Sequence, residues 1–114
     1  MNFGLALAAF VDALQADIIK HYAEHYKILT PSVISTEPGS RYVRIVTTRD
    51  GGNGQRSVHC FVRIADGVIL KAAGWKAPFI AKGGPNHPNT VRGSIYAADH
   101  GMSAVSTYGA NYVR

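Results

Sequence analysis

Apolar residues near the start of the chain recur at Phe3, Leu7, Phe10, Val11, Leu14, Ile18 and Tyr22. Intervals that are mostly three and four trace one face of a helix, with Asp12, Gln15 and Lys20 off the stripe. Asn2 is a suitable N-cap, so the pattern predicts a helical segment from about Asn2 to about Lys27. The simplest role for such a stripe is packing on a sheet.

The period then changes. Thr30 to Ser40 contains Pro31, Pro38 and Gly39 and reads as a connector. Arg41 to Thr48 is rich in β-branched residues and predicts a strand, followed by a glycine-rich turn over Asp50 to Gly54. Ser57 to Ile64 predicts a second strand, Asp66-Gly67 a tight hairpin, and Val68 to Ala73 a third strand. Short links make these three an antiparallel meander. Within the second strand Val58, Cys60, Val62 and Ile64 form an apolar set that should face the helix. His59, Phe61 and Arg63 should face the other way. Gly74 to Gly93 is a long Gly/Pro/Asn-rich segment, and Ser94 to Ala97 and Tyr108 to Arg114 are candidates for further strands.

The expected architecture is a single α+β domain over 1–114: an N-terminal amphipathic helical segment packed on an antiparallel β-sheet of about four to five strands. The helical part covers 1–29 and a basic β-sheet part covers 41–114, with a long loop near 76–91.

Composition narrows the setting. A length of 114 residues suits one domain, and an apolar fraction of 46% allows a real core. Cys60 is the only cysteine, so no disulfide within the chain and no zinc spacing is available, which favours a reducing compartment. Met1 to Val11 is apolar, but the first lysine is Lys20, so the basic region of a secretory signal is missing. Asp12 and Asp17 break the run well short of a membrane span. These features predict an intracellular protein with no membrane partner.

Net charge is +5, unevenly placed. Residues 1–40 hold two lysines against four acids, whereas residues 41–114 hold ten Lys/Arg against three acids. Basic charge concentrated on the sheet part points to a phosphate-bearing partner. Ordinary solubility charge is the plainer explanation.

Candidate chemistry centres on Trp75, Lys76, Lys82 and Arg92, with Gly83, Gly84 and Gly93 beside them. An indole stacks on a base, cations neutralise phosphates, and glycines let backbone N–H groups approach phosphate oxygens. The plainer reading is a Trp closing a sheet edge beside solvated lysines. His59 and Phe61 offer a second stacking surface, against a plain solvated sheet face or a dimer contact. His21 and His25, at helical spacing, lack an indicated third metal ligand. Phosphate-loop, dinucleotide, zinc-protease and nucleophile-elbow motifs do not occur. Beyond residue 40 the only acids are Asp50, Asp66 and Asp99, two of them in turn sequences, which argues against acid–base catalysis.

The blocks RYVRIV, RSVHCFV, GVILKAAGWKAP, VRGSIY and YGANYVR, starting at Arg41, cover about two-thirds of the chain. As an ordered set they resemble a family of small bacteriophage proteins. The best-understood proteins that look similar are Thoeris anti-defence sponges, which bind the cyclic ADP-ribose isomer made as an alarm by bacterial TIR enzymes and do not cleave it. Some also hold cyclic oligonucleotides. The resemblance implies a homo-oligomer, dimer or hexamer, with an interfacial pocket for a small nucleotide second messenger in the host cell cytoplasm. It places Trp75 as the stacking residue, Arg92 and Ser94 (with Gly93 between them) on ribose or phosphate, and Arg114 on a second phosphate. Phe79-Ile80 and Gly84 to Thr90 lengthen the link between two of the blocks and depart from that pattern, leaving Lys82 without a counterpart.

The leading expectation is therefore a non-enzymatic protein, without cofactor or metal, that captures a cyclic nucleotide signal through Trp75, Lys76, Arg92, Gly93, Ser94, Arg114, His59 and Phe61. Three other readings compete: a nucleic-acid-binding module using the basic sheet face, a small metal-free phosphoesterase or nuclease, and a structural or host-protein-binding phage protein.

Overall fold

A computed structural model describes residues 2–26, 28–106 and 109–110. It begins with helix α1 (Phe3–His25). The Asn2 side-chain oxygen accepts a hydrogen bond from the Leu5 amide at 2.8 Å, a cap that contributes about 1 kcal/mol. Ala6, Phe10, Leu14 and Ile18 are fully buried, one turn apart along the predicted stripe. Burying each of the three larger side chains contributes roughly 1.5–3 kcal/mol. The helix closes at Tyr26, whose amide bonds the Tyr22 carbonyl at 2.8 Å.

Five strands follow in one antiparallel sheet, in sequence order: β1 (Val33–Pro38), β2 (Tyr42–Thr48), β3 (Arg56–Arg63), β4 (Val68–Leu70) and β5 (Val91–Ser94). The α+β architecture matches the sequence expectation. One strand does not: β1 lies inside the predicted connector. Pro38 ends this edge strand, a position where a missing N–H breaks no central ladder. The strand expected at Ser94 to Ala97 falls earlier, at β5. Of the strand expected over 108–114, only Gly109 and Ala110 lie among the described residues; as β7 (Gly109–Ala110) they pair with β6 (Val105–Ser106).

The core gathers the α1 stripe against Ile34, Val43, Ile45, Cys60, Val62, Ile69 and Ile95, and is closed by Ala104, Val105 and Ala110. Gly67, at φ +71 in the β3–β4 turn, takes a conformation that side chains rarely adopt.

The strand alternation is interrupted in β3. Ile45 pairs with Cys60 and Val46 with Val58, so His59 is an extra residue in a β-bulge. Its ring therefore lies beside Cys60, not beside Phe61 and Arg63. Nδ1 is 3.3 Å from the Cys60 sulfur and Nε2 is 2.8 Å from the Ser106 carbonyl.

The long Gly/Pro/Asn segment is two ordered loops. In the first, the Phe79 amide bonds the Lys71 carbonyl at 2.7 Å and Ala72 bridges Pro78, which puts Gly74 to Lys76 at the tip. In the second, the buried Thr90 hydroxyl accepts from the Ala81 amide at 2.8 Å and donates to the Gly84 carbonyl at 2.7 Å, closing the neck. Arg63 holds this loop to the sheet through the Pro85 carbonyl and the Asn86 side chain, each at 2.9 Å. Asp66 orients the same guanidinium at 2.9 Å.

Candidate functional site: a cationic face around Trp75

The face of the sheet that carries Arg44 and Phe61 gathers charged side chains around one aromatic ring. Pairing of β2 with both neighbours sets Arg44 opposite Glu37 on one side and opposite Phe61 on the other. The loop tip then delivers Trp75 to the same place. The Arg44 Nε donates to the Trp75 carbonyl at 2.7 Å, and its guanidinium carbon is 4.8 Å from the indole centre. Arg56, from the start of β3, brings a second guanidinium to 5.1 Å from the same ring. Such contacts stabilise by roughly 0.5–1 kcal/mol each at exposed sites.

One carboxylate serves both cations. Glu37 accepts from Arg44 at 3.0 Å and also bonds Arg56. The two guanidinium groups, Arg56 first and Arg44 second, hold its carboxyl below the usual carboxylate range. Beside this cluster is a hollow of about 270 Å³ lined by Glu37, Arg41, Tyr42, Arg44, Phe61 and Lys76. Four cations, Arg41, Arg44, Arg56 and Lys76, thus meet one acid, Glu37, and the local balance is strongly positive.

Trp75 stays 39% exposed, so the indole is held by its neighbours and still meets solvent. Lys76 lines the hollow next to it. Phe61 is on this face but only 3% exposed, against Tyr42 and Arg44. It supports the site from beneath and offers no open stacking surface. His59 leaves the site: it is 3% exposed, and burial pushes its imidazole below the ordinary value, opposed by the Ser106 carbonyl.

The residues expected from the Arg-Gly-Ser block serve other ends. Arg92 lies over Phe79, guanidinium carbon to ring centre 5.9 Å, whereas the ring contacts of Trp75 are with Arg44 and Arg56. Gly93 packs so tightly that an added Cβ would sit 2.5 Å from the Ala104 Cβ. The Ser94 hydroxyl accepts from the Tyr96 amide at 3.1 Å within a turn. Lys82 is exposed in the second loop, and Arg114 lies outside the described residues. His21 and His25 rings are 4.5 Å apart. Among the described residues no group of three or more His, Cys, Asp or Glu is placed to hold a metal ion. Among the same residues no helix is long and apolar enough to cross a membrane.

Residues 4–102 match the profile of one protein family. The chain belongs to DUF7717, a family of unknown function. No curated protein and no solved structure matches it. Because DUF7717 carries no assigned activity, the ligand of this member has to be read from the site. Sequence reasoning found Trp75 and Lys76 by residue type, but missed Arg44, Arg56 and Glu37. The alternation of β2 and β3 sorts Arg44 and Phe61 each to one side of its own strand, but only strand register sets them opposite each other and brings Glu37 and Arg56 to the same place.

Proposed function

We propose that this DUF7717 protein captures a small anionic nucleotide signal on the cationic face around Trp75 and holds it without cleaving it. The observation that carries this reading is the pair of guanidinium groups, Arg44 and Arg56, set against one half-exposed indole and sharing one carboxylate. A phosphate group has the charge and the acceptor geometry to take the place of Glu37 between the two forks. A base extends the pile of indole and guanidinium, and Arg41 and Lys76 add attraction at the rim.

Within this reading the ligand is a cyclic ADP-ribose isomer or a cyclic oligonucleotide, as the resemblance to the Thoeris sponges implies. The setting is a bacteriophage protein in the infected cell's cytoplasm, silencing an immune alarm. Sequestration needs tight, slow-releasing binding and no proton transfer. A Kd of roughly 10 nM corresponds to about −11 kcal/mol. The dimer or hexamer that the same resemblance implies would let a second copy close over the ligand and dry its charges. The absence of turnover is supported by His59, whose ring nitrogens are committed to Ser106 and Cys60 away from the site.

Mass balance tests the reading. Each of a panel of cyclic ADP-ribose isomers and cyclic oligonucleotides is mixed with excess protein and filtered, and free ligand is quantified by mass spectrometry before and after heat denaturation. Ligand that vanishes and returns unchanged supports capture, whereas ligand that returns altered makes the protein an enzyme. If no ligand vanishes, capture of these signals is refuted. Salt-steep binding to DNA or RNA would then identify the cationic face as a polynucleotide surface.

A further inference from the structure

Helix α1 carries a second seam, on the side turned away from the sheet. Leu5, Ala9, Asp12, Ala16, Ile19 and Ala23 follow one another at alternate steps of four and three residues. That spacing is the heptad repeat of helices that pack along their length. It is separate from the core stripe of Ala6, Phe10, Leu14 and Ile18. Leu5 is 63% and Ile19 50% exposed, Asp12, Ala16 and Ala23 are exposed, and Ala9 is half-buried. From Phe3 to Val11 the helix holds no polar side chain on any face. A helix that is apolar all round is ordinarily covered all round, whereas the core of this chain covers only one stripe.

The order of residues along the seam selects its occupant. Leu5, Asp12 and Ile19 fall at one heptad position, and Ala9, Ala16 and Ala23 at the other. A second α1 laid antiparallel, with the two-fold axis beside Leu14 at the middle of the helix, sets Leu5 opposite Ala23 of the other copy, Asp12 opposite Ala16 and Ile19 opposite Ala9. Each layer then joins a larger side chain to an alanine, which lets the axes approach to about 8 Å. A shift of one heptad either way leaves two of the six seam positions without a counterpart. The same register brings Lys20 of each copy within one turn of Asp12 of the other, so the charges at the middle of the seam are complementary between copies. From this pattern we infer that a second copy of the chain docks on the outer face of α1 as an antiparallel helix pair centred on Leu14. One helix from each copy makes a small interface, below about 1,200 Å² in total, so association belongs in the micromolar range. The Trp75 face lies across the sheet from α1, so both Trp75 faces point outward in this pair. Closure of a captured ligand by another copy would use a further contact.

Sedimentation velocity of the full chain over about 1–500 μM tests this. The expected result is a mass that rises with concentration to at least that of a dimer. Ala16→Glu and Ile19→Glu each place a charge against an apolar layer and should weaken association at least tenfold. Both positions are exposed, so circular dichroism of the variants should match the parent chain. Asp12→Lys should also weaken association, and adding Lys20→Asp to it should restore the loss, because the exchanged charges again meet between copies. A chain that stays monomeric over the whole range would overturn the inference. So would association that Ala16→Glu and Ile19→Glu both leave unchanged, or a charge exchange that restores nothing. Trp75→Ala should leave association intact, which separates this interface from the capture site proposed above.

Discussion

Arg44 and Trp75 are joined twice: the arginine Nε binds the tryptophan carbonyl at 2.7 Å, and the guanidinium lies 4.8 Å from the indole centre. A central strand thereby fixes the tip of a loop that sequence alone leaves unplaced. Arg44→Ala removes the tether and one cation together. Capture of an anionic nucleotide should weaken at least tenfold, about 1.4 kcal/mol. Arg44→Lys keeps the charge but not the fork and should recover only part of that loss. Equilibrium dialysis against the captured ligand, with folding checked by circular dichroism, reads both.

In the proposed reading Glu37 holds the place between Arg44 and Arg56 that a ligand phosphate would take. Glu37→Gln should therefore tighten binding of a phosphate-bearing ligand and steepen its dependence on salt, because two guanidinium groups lose their internal partner. Unchanged affinity in this variant would mean that the ligand does not contact the arginine pair.

Stability should fall with acid in two steps. The buried His59 resists protonation in the folded chain, whereas the unfolded ring takes a proton near its ordinary value of 6.5. Its contribution is fully present above 6.5 and is lost as pH falls toward and through the lower folded value. The lowered carboxyls of Glu37, Asp66 and Asp99 act later, below their ordinary 4.5, 3.8 and 3.8. Denaturant titrations at pH 7.5, 6.5 and 5 should show the first loss, and His59→Asn should flatten it.

Burial pushes the Cys60 thiol far above its ordinary range and closes it to solvent. A thiol-directed reagent should leave the native chain unmodified and react at the rate of unfolding as denaturant is added. Rapid labelling of native protein would show that the core around β3 opens easily.

Gly93 gives a test of packing against ligand contact. A Cβ there meets the Ala104 Cβ at 2.5 Å, so Gly93→Ala should cost about 1–3 kcal/mol of stability. Thermal melts measure this, and a stable variant with lost capture would return Gly93 to the binding site.

The helix was legible because its apolar stripe runs unbroken from Phe3 to Tyr22, and the period of an amphipathic helix needs no partner to be recognised. β2, β3 and β4 were legible from β-branched runs between turn residues. β1 was hidden because Pro31 and Pro38 read as punctuation, although an edge strand tolerates proline at its end. The face of His59 was misjudged because alternation is a local rule, and one extra residue reverses it. The same limit applies to the site. Trp75 could be singled out by its type, but Glu37, Arg44 and Arg56 belong to three strands, and only register brings them to one ring.

The bulge at His59 also bears on how members of DUF7717 are compared. β3 spends one more residue than the stretch of β2 it accompanies. A relative whose hairpin lacks that residue would need a gap at position 59. An ungapped alignment of the two would match inward positions with outward ones for the rest of the strand, and Phe61 and Arg63 would be compared with residues that never meet the Trp75 face.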